Sequence, residues 1–250
     1  MSVFVFAPIL YKGTRELIEA LDAKRLVNFD GMHFRHKGKL IEFDKNDTII
    51  SWGRCLPKLE NVNVINNSCE FITPTIASAY KQWTNKFYNI LRNSGIHLLF
   101  PTYSNIEIGD AAGYWKTSDF PGYATSFVAF GEEYDFHFAG KTLLRVGTKR
   151  NVRPIATSID VFNKAPELWA HPSIKSNANG WERVYAPKTT AKEFLSVAIE
   201  VRDALNIDFC SIHIAYSKPR TLSLFRKVEL PTDLDPEGVK LYAEAIKRML

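Results

Sequence analysis

The sequence predicts an α/β protein, with an N-terminal parallel α/β part followed by an antiparallel sheet packed with helices. Short apolar strands alternate with helical segments near the N-terminus, and this alternation is typical of parallel strand pairing. A stretch of alternating polar and aromatic residues near the middle of the chain predicts a β-hairpin. The 250 residues are 46% hydrophobic and 24% charged, as in globular proteins. This composition excludes disordered, collagen-like and coiled-coil proteins.

The N-terminal α/β domain is predicted over residues 1–72. The apolar residues 2–8 predict a first strand, and residues 13–26 (GTRELIEALDAKRL) predict a short helix with leucines on one face. Residues 47–53 (DTIISWG) and 61–66 (NVNVIN) predict two further strands. Because these strands alternate with helical segments, we expect them to pair in parallel.

Residues 73–250 are predicted to form a second domain. Hydrophobic residues at helical spacing over residues 76–90 predict a long helix that ends near Gly95. Residues 105–123 are rich in glycine, aspartate and aromatic residues, and we expect irregular structure there.

Residues 126–146 predict a hairpin that turns at Gly140. In its first strand the sequence EYDFHF alternates, so that Glu133, Asp135 and His137 lie on one face and three aromatic residues on the other. Two carboxylates and an imidazole on one face could bind a cation or a phosphate-bound metal. The alternation by itself favours a plainer interpretation, the exposed polar face of an amphipathic hairpin.

Two more strands and a closing helix are predicted near the C-terminus. The strands cover residues 207–215 and 222–228, with the turn residues SKPR between them. Asp235 and Pro236 are residue types that favour the N-cap and the first position of a helix, and apolar residues then recur at helical spacing. We expect the two strands to pair in the same antiparallel sheet as the hairpin.

Basic residues exceed acidic residues, and the net charge is +5. This balance favours acidic partners such as a nucleotide or a nucleic acid, although a basic surface without a specific partner fits it equally well. No apolar run reaches the roughly 18–20 residues of a membrane span, so we expect no membrane partner. Cys55, Cys69 and Cys210 are far apart in the sequence, which is typical of a reducing compartment, and we expect a cytoplasmic protein.

Further candidate ligand-binding residues follow the hairpin. Lys149 lies at the end of its second strand, and Lys175, Asn177 and Asn179 belong to the segment IKSNANGW. Ammonium and amide groups of this kind bind phosphate oxygens. The alternatives are a solvated basic loop and a simple Asn-Gly turn. The sequence has no Walker loop, no dinucleotide-binding glycine motif and no His or Cys spacing typical of a metal site.

Five segments, taken in order, resemble the ATP-grasp family. They are DTIISWGR, NVNVINN, SFVAFGEEYDFHFAGKTLLRVGTKR, IKSNANGW, and LNIDFCSIHI with the C-terminal segment after it. The similarity is to small ligases common in phage genomes, which are related to ribosomal-protein glutamate ligases and glutathione synthetases. It implies an ATP-grasp-like fold with a reduced central lobe near residues 105–125, ATP as a ligand, and action in the cytoplasm of a bacterial host.

The sequence departs from this family at the positions that hold magnesium. The resemblance places an arginine at Asp135 and a magnesium-binding aspartate at His213. It places a Glu-x-Asn pattern at Arg226 and Val228. Magnesium ions that bridge ATP phosphates need oxygen ligands, which these side chains do not supply. We therefore predict a degenerate member, with His213 and Arg226 at the former catalytic positions and no metal ligand, that binds a partner, nucleotide or nucleic acid without ligation.

The alternative is an active ATP-dependent carboxylate–amine ligase with rearranged metal ligands. ATP and magnesium would then be the cofactors, because ligation requires an acyl phosphate. The carboxylates available to recruit magnesium in that case are Glu132, Glu133, Asp208 and Glu229. ATP turnover with an amine acceptor distinguishes the two hypotheses.

Overall fold

The computed structural model has an N-terminal parallel sheet, a five-stranded antiparallel sheet and two small antiparallel sheets. It describes residues 2–37, 39–53, 56–66, 86, 89–95, 103–105, 114–116, 123–126, 130–151, 181–186, 192–217, 223–231 and 234–250. Within those ranges, no helix has the length and apolar character that a membrane span requires.

The N-terminal sheet is parallel, as predicted. Its strands are β1 (Val3–Phe6), β2 (Lys24–Leu26), β6 (Thr48–Ser51) and β7 (Asn63–Ile65), in the order β2-β1-β6-β7. Helix α1 (Thr14–Ala20) connects β1 to β2. All three pairings in this sheet are parallel, which confirms the interpretation of the alternating strands and helical segments.

The first helix is shorter than the sequence predicts. It ends at Ala20, and Asp22 follows with a left-handed backbone (φ 49°). The next residues pair in parallel with residues 4–6 as strand β2, so the prediction of a helix through residue 26 is wrong. Burial of Leu26 and the ladder hydrogen bonds stabilise this strand more than helical propensity stabilises another turn.

Two small antiparallel sheets have no counterpart in the sequence predictions. The first contains β3 (Asn28–Phe29), β4 (Phe34–His36) and β5 (Lys39–Leu40). The second contains β8 (Tyr103–Asn105), β9 (Tyr114–Lys116) and β10 (Tyr123–Ser126), in the order β8-β10-β9. Within residues 105–123, where irregular structure is expected, residues 105, 114–116 and 123 belong to strands, and the rest of that segment lies outside the described residues. The aromatic residues of these strands favour extended, paired backbone in spite of the surrounding glycines.

Most of the long helix predicted over residues 76–90 lies outside the described residues. Residues 89–93 are helical, and Gly95 follows with a positive φ of 75°. The N–H of Gly95 donates to the carbonyl of Arg92. A glycine in this conformation commonly ends a helix, as the sequence predicts.

The hairpin and the C-terminal strands form one antiparallel sheet, as predicted. Its strands are β11 (Phe130–Ala139), β12 (Thr142–Asn151), β13 (Trp181–Ala186), β14 (Phe209–Ser217) and β15 (Ser223–Glu229), in the order β13-β12-β11-β14-β15. The hairpin turns at Gly140, where φ is 53°. Glycine adopts this left-handed conformation without a steric penalty.

Helix α2 (Lys192–Leu205) covers one face of this sheet. The aromatic side chains of β11 point toward it, which confirms the predicted alternation in EYDFHF. The apolar cluster on this face includes Tyr134, Phe136, Phe138, Phe194, Val201, Ile212 and Val228. All of these side chains are buried.

Helix α3 (Pro236–Lys247) joins the opposite face of the sheet to the N-terminal part of the chain. The Trp52 ring lies 5.5 Å from the Phe209 ring and 5.6 Å from the Tyr242 ring. Asp235 is the N-cap, as predicted, and its carboxylate accepts a hydrogen bond from the Gly238 N–H. Because Asp235 also accepts a hydrogen bond from Arg145 of β12, the start of α3 lies beside the face of the antiparallel sheet that is opposite α2.

Candidate functional site

Two neighbouring rows of polar residues cross the sheet face opposite α2. The strand register aligns Glu229, Ser211, His137 and Arg145 in the first row. In the second row it aligns His213 with Asp135, and Asp135 with Gly147. Because side chains alternate along each strand, both rows occupy the same face.

Three polar residues of β11 are buried rather than exposed. Glu133, Asp135 and His137 have 7%, 4% and 3% of their surface accessible. The interpretation as the exposed face of an amphipathic hairpin is therefore wrong. Alternation shows that the two faces of a strand differ in polarity, but not whether a second layer covers the polar one. Here α3 reaches this face, and its Tyr242 hydroxyl lies 3.1 Å from His137 Nδ1.

His213 lies between two carboxylates at the centre of the site. Its Nδ1 is 2.5 Å from Asp135 Oδ1, and its Nε2 is 3.1 Å from Glu229 Oε2. The imidazole and Asp135 are buried, whereas the Glu229 side chain is 41% exposed. Burial alone would lower the pKa of His213, but the two carboxylates outweigh it and raise the pKa above the ordinary value of 6.5. The imidazolium is therefore favoured to a higher pH than in a free histidine.

Ser211 also approaches the imidazole, with Oγ 3.1 Å from His213 Nε2. Together with Asp135, these contacts resemble a Ser-His-Asp triad. A base in such a triad must have a proton-free Nε2. Here the Glu229 carboxylate lies at the same nitrogen and favours its protonated form. The arrangement therefore favours an ion-pair group over a nucleophilic serine.

A second charged group lies at the N-terminus of α3. Arg145 Nη1 donates to Asp235 Oδ1 over 2.6 Å, and the guanidinium carbon lies 3.7 Å from the centre of the Tyr185 ring. Asp235 also accepts from the Gly238 N–H at 2.7 Å. Burial raises the pKa of Asp235, but these two donors outweigh it and hold the pKa below its ordinary range. The Asp235 carboxylate is therefore a stable anion beside a buried cation.

The structure brings four of the predicted site residues onto one face. These are Glu133, Asp135, His137 and His213. Lys149 is placed in β12, where it pairs with Arg183, and Arg226 is placed in β15 at the register shift beside His213. The predicted residues Lys175, Asn177 and Asn179 lie outside the described residues.

Sequence reasoning misses Arg145 because of a register shift in the hairpin. A regular two-residue turn would place Leu144 opposite His137 and direct Arg145 to the other face. The observed shift between His137 and Phe138 instead pairs His137 with Arg145. A bulge of this kind reverses which residues share a face, and the sequence carries no clear signal for it.

Val228 does not lie at the site, contrary to the position that the family resemblance gives it. It pairs with Ile212 and is fully buried in the apolar cluster under α2. The residue of β15 that contacts His213 is Glu229. The register shift at Arg226 explains the difference, because a strand shifted by one residue exchanges its two faces.

Solved structures with the same architecture are ATP-grasp ligases. The chain matches the ATP-grasp ligase PsnB, complexed with its minimal precursor, with a TM-score of 0.59 at 6% identity, over 100% of this chain and 99% of that one. It matches an ATP-grasp RimK domain protein from Sphaerobacter thermophilus with a TM-score of 0.58 at 10% identity, over 98% and 99%. The protein has the ATP-grasp fold. D-alanyl-alanine synthetase A from Vibrio cholerae matches with a TM-score of 0.55 at 8% identity, over 99% and 97%.

These similarities are of fold, since no protein-family model matches the sequence. Curated protein sequences likewise give no significant match. The ATP-grasp fold confirms the predicted fold class, including the parallel N-terminal part and the antiparallel sheet.

Among the described residues, no group of three or more His, Cys, Asp or Glu side chains is arranged to hold a metal ion. One PsnB structure contains Mg and ADP. In the present ATP-grasp sheet, the carboxylates of Asp135 and Glu229 both contact the imidazole of His213. In its protonated form this imidazole repels a divalent cation, and it engages one oxygen of each carboxylate.

Proposed function

We propose that this protein is a non-ligating member of the ATP-grasp fold that binds an anionic partner, a nucleotide or a nucleic acid. The observation that carries the proposal is the position of His213 between Asp135 and Glu229. Phosphoryl transfer from ATP depends on metal ions that bridge the phosphates. An imidazolium between these carboxylates engages one oxygen of each and opposes the approach of a metal ion. The phage-like resemblance further suggests action in the cytoplasm of a bacterial host.

The pairing of the two substituted positions supports this proposal. The family resemblance gives an arginine at Asp135 and an aspartate at His213, and these two residues face each other in the register. Their charges are exchanged relative to that expectation, and their side chains form a buried ion pair. The exchange keeps the attraction between the strands and removes the carboxylate from the metal position.

Basic residues occur in the strands around the site, and a positive net charge favours an anion. In the strand ladders Lys149 pairs with Arg183 and Lys227 pairs with His213, and Arg226 lies at the register shift next to Lys227. Lys175, Asn177 and Asn179 would complete the contacts with phosphate oxygens. Such contacts weaken with ionic strength. We therefore expect ATP binding that is weak, salt-dependent and nearly independent of magnesium.

An active carboxylate–amine ligase is the second candidate. It is favoured by one observation, the convergence of the Asp135 and Glu229 carboxylates on a single imidazole. Movement of that imidazole would free the oxygens of both carboxylates for magnesium. Macrocyclase MdnC, a structural neighbour at 8% identity with a TM-score of 0.53, was solved with a precursor peptide. A ligase here would have ATP and magnesium as cofactors and a peptide as the acceptor class.

Titration calorimetry with ATP, in the presence and absence of magnesium, separates these two functions. The matched variants are His213→Asp, which restores a carboxylate, and His213→Asn, which removes the imidazolium without adding one. We expect magnesium binding only in His213→Asp, because only this variant adds an anionic oxygen ligand, and we expect it at a cost in stability from the repulsion between the carboxylates.

The complementary assay measures ATP turnover with an amine acceptor. The non-ligating function predicts no turnover above background in the wild type. If the wild type turns over ATP and Arg226→Ala abolishes that activity, Arg226 is catalytic and the second candidate is correct.

A further inference from the structure

The arginine at the N-terminus of α3 is only partly satisfied by its neighbours. Arg145 is 5% exposed and donates from Nη1 to Asp235. Its Nε and Nη2 atoms are also buried, and neither has a hydrogen-bond partner among the described residues. Unused donors on a buried charge are costly, so the positive charge of this guanidinium is only partly compensated by its neighbours.

The first turn of α3 lies directly against this guanidinium. A Cβ on Gly238 would be 2.7 Å from Arg145 Nη1 and 2.9 Å from its Cζ, so glycine is required for the close approach. The N-terminus of a helix carries a partial positive charge and favours anions. The guanidinium adds to this positive potential instead of balancing it. The two features together favour an anionic ligand group.

The anion that contacts Arg145 among the described residues is the Asp235 carboxylate, which a ligand could replace. Asp235 contacts Arg145 with a side chain that is 36% exposed. Rotation of this carboxylate into solvent would release both Arg145 Nη1 and the Gly238 N–H, the two donors that it now occupies. We propose that Arg145 and the first turn of α3 form a subsite for a phosphate or carboxylate group of a ligand, with Asp235 as the resident competitor.

The shape of the cation favours an oxyanion. At the position of the Asp235 carboxylate, Arg145 Nη1 and the Gly238 N–H converge as two donors, and charge-assisted donors of this kind suit a phosphate or a carboxylate oxygen. Stacking on Tyr185 at 3.7 Å fixes its plane. Arg145 also lies opposite His137 in the register, on the same face as His213. The subsite therefore deepens the proposed function, on which it rests, by naming the residue that recognises the anionic group.

The decisive variant is Asp235→Asn, which removes the competing charge but keeps a good N-cap residue. Inorganic phosphate and acetate are titrated separately into the wild type and the variant, and binding is followed by the amide signal of Gly238 in NMR spectra. We expect phosphate, acetate or both to bind about tenfold more tightly to the variant, since one competing charge contact is lost. The probe that gains affinity identifies the group.

Arg202→Gln is the matched control for loss of the cation. Arg202 is another buried arginine, but its donors are used by Asp203 and the Lys141 carbonyl. In the Asp235→Asn background, Arg145→Gln should abolish the gain in anion affinity, and Arg202→Gln should keep it. Gly238→Ala is a second test that keeps the charge. In the Asp235→Asn background it should also remove the gain in anion affinity, read from the amide signal of residue 238, because its methyl group displaces the guanidinium.

Equal affinity of Asp235→Asn and wild type for both anions would overturn the subsite. That result is distinct from failure of the proposed function, which is measured by ATP binding to the wild type. ATP binding with no effect of Asp235→Asn on either anion overturns the subsite alone.

Discussion

Asp135 and His213 face each other across neighbouring strands and form a buried ion pair, with 2.5 Å between Oδ1 and Nδ1. The family resemblance gives arginine and aspartate at these two positions. A change at either position alone would have placed two like charges in contact in a buried site, at a large cost. The two departures from the family pattern therefore describe one coupled exchange of charge.

The coupling predicts the stability of the reversed pair. Asp135→Arg should lower the free energy of unfolding by about 3–5 kcal/mol, because it places two cations together in the sheet. The double variant Asp135→Arg, His213→Asp should regain most of that loss. Urea denaturation of the single and double variants measures this. Losses that simply add in the double variant would show that the positions are not coupled.

The pH dependence of stability follows from the raised pKa of His213. The carboxylates of Asp135 and Glu229 raise the folded-state pKa above 6.5, its value when unfolded. The folded state therefore holds the proton more tightly, and this contribution is fully present below pH 6.5. We expect the free energy of unfolding to fall as the pH rises through the folded-state pKa of His213.

The control for this prediction is His213→Gln, which retains hydrogen-bonding groups but has no proton to lose in this range. Denaturation curves over a series of pH values should show a smaller decline in the variant. An equal decline in variant and wild type would assign the pH dependence to other groups.

The register of β15 places its last two residues on opposite faces of the sheet, so substitutions at these residues should differ in their effect on stability. Val228→Asn should lower the free energy of unfolding by about 2–4 kcal/mol, because it buries an amide in the apolar cluster under α2. Glu229→Gln should cost less than about 1 kcal/mol, because this side chain is 41% exposed. Thermal and urea denaturation measure both changes. A destabilising Glu229→Gln beside a harmless Val228→Asn would contradict the register.

Glu229→Gln has a second expected effect, on the titration of His213. Removal of one of the two carboxylates should lower the pKa of His213, because both raise it in the wild type. The titration of the imidazole signal in NMR spectra measures this shift. An unchanged pKa would show that Glu229 does not contact the ring in solution.

The sequence predicts the strands well where local pattern and environment agree. The alternation in EYDFHF correctly assigns the aromatic residues to one face and Asp135 to the other, since the period of two belongs to the strand itself. Strand β2 is missed because its stability comes from pairing with β1, which helical propensity does not reveal.

The candidate site is less predictable because it depends on two register shifts. One pairs Arg145 with His137, and the other brings Glu229 instead of Val228 to His213. Each shift is one residue long and exchanges the faces of a strand. The burial of Asp135 is also invisible in the strand pattern, because it depends on how other layers pack on the sheet.

The central claim is that this site does not carry out metal-dependent ligation. Its most direct test is to measure the protonation state of His213 in the presence of ATP and magnesium. Spectra of the ¹⁵N-histidine-labelled protein report it, with His213→Gln identifying the signal. We predict that the ring holds its second proton to a pH above 6.5, the ordinary value for histidine, and that the signal is unchanged when magnesium is added with ATP. A ring that loses its proton on addition of magnesium, together with ATP turnover in the presence of an amine acceptor, would contradict the proposed function.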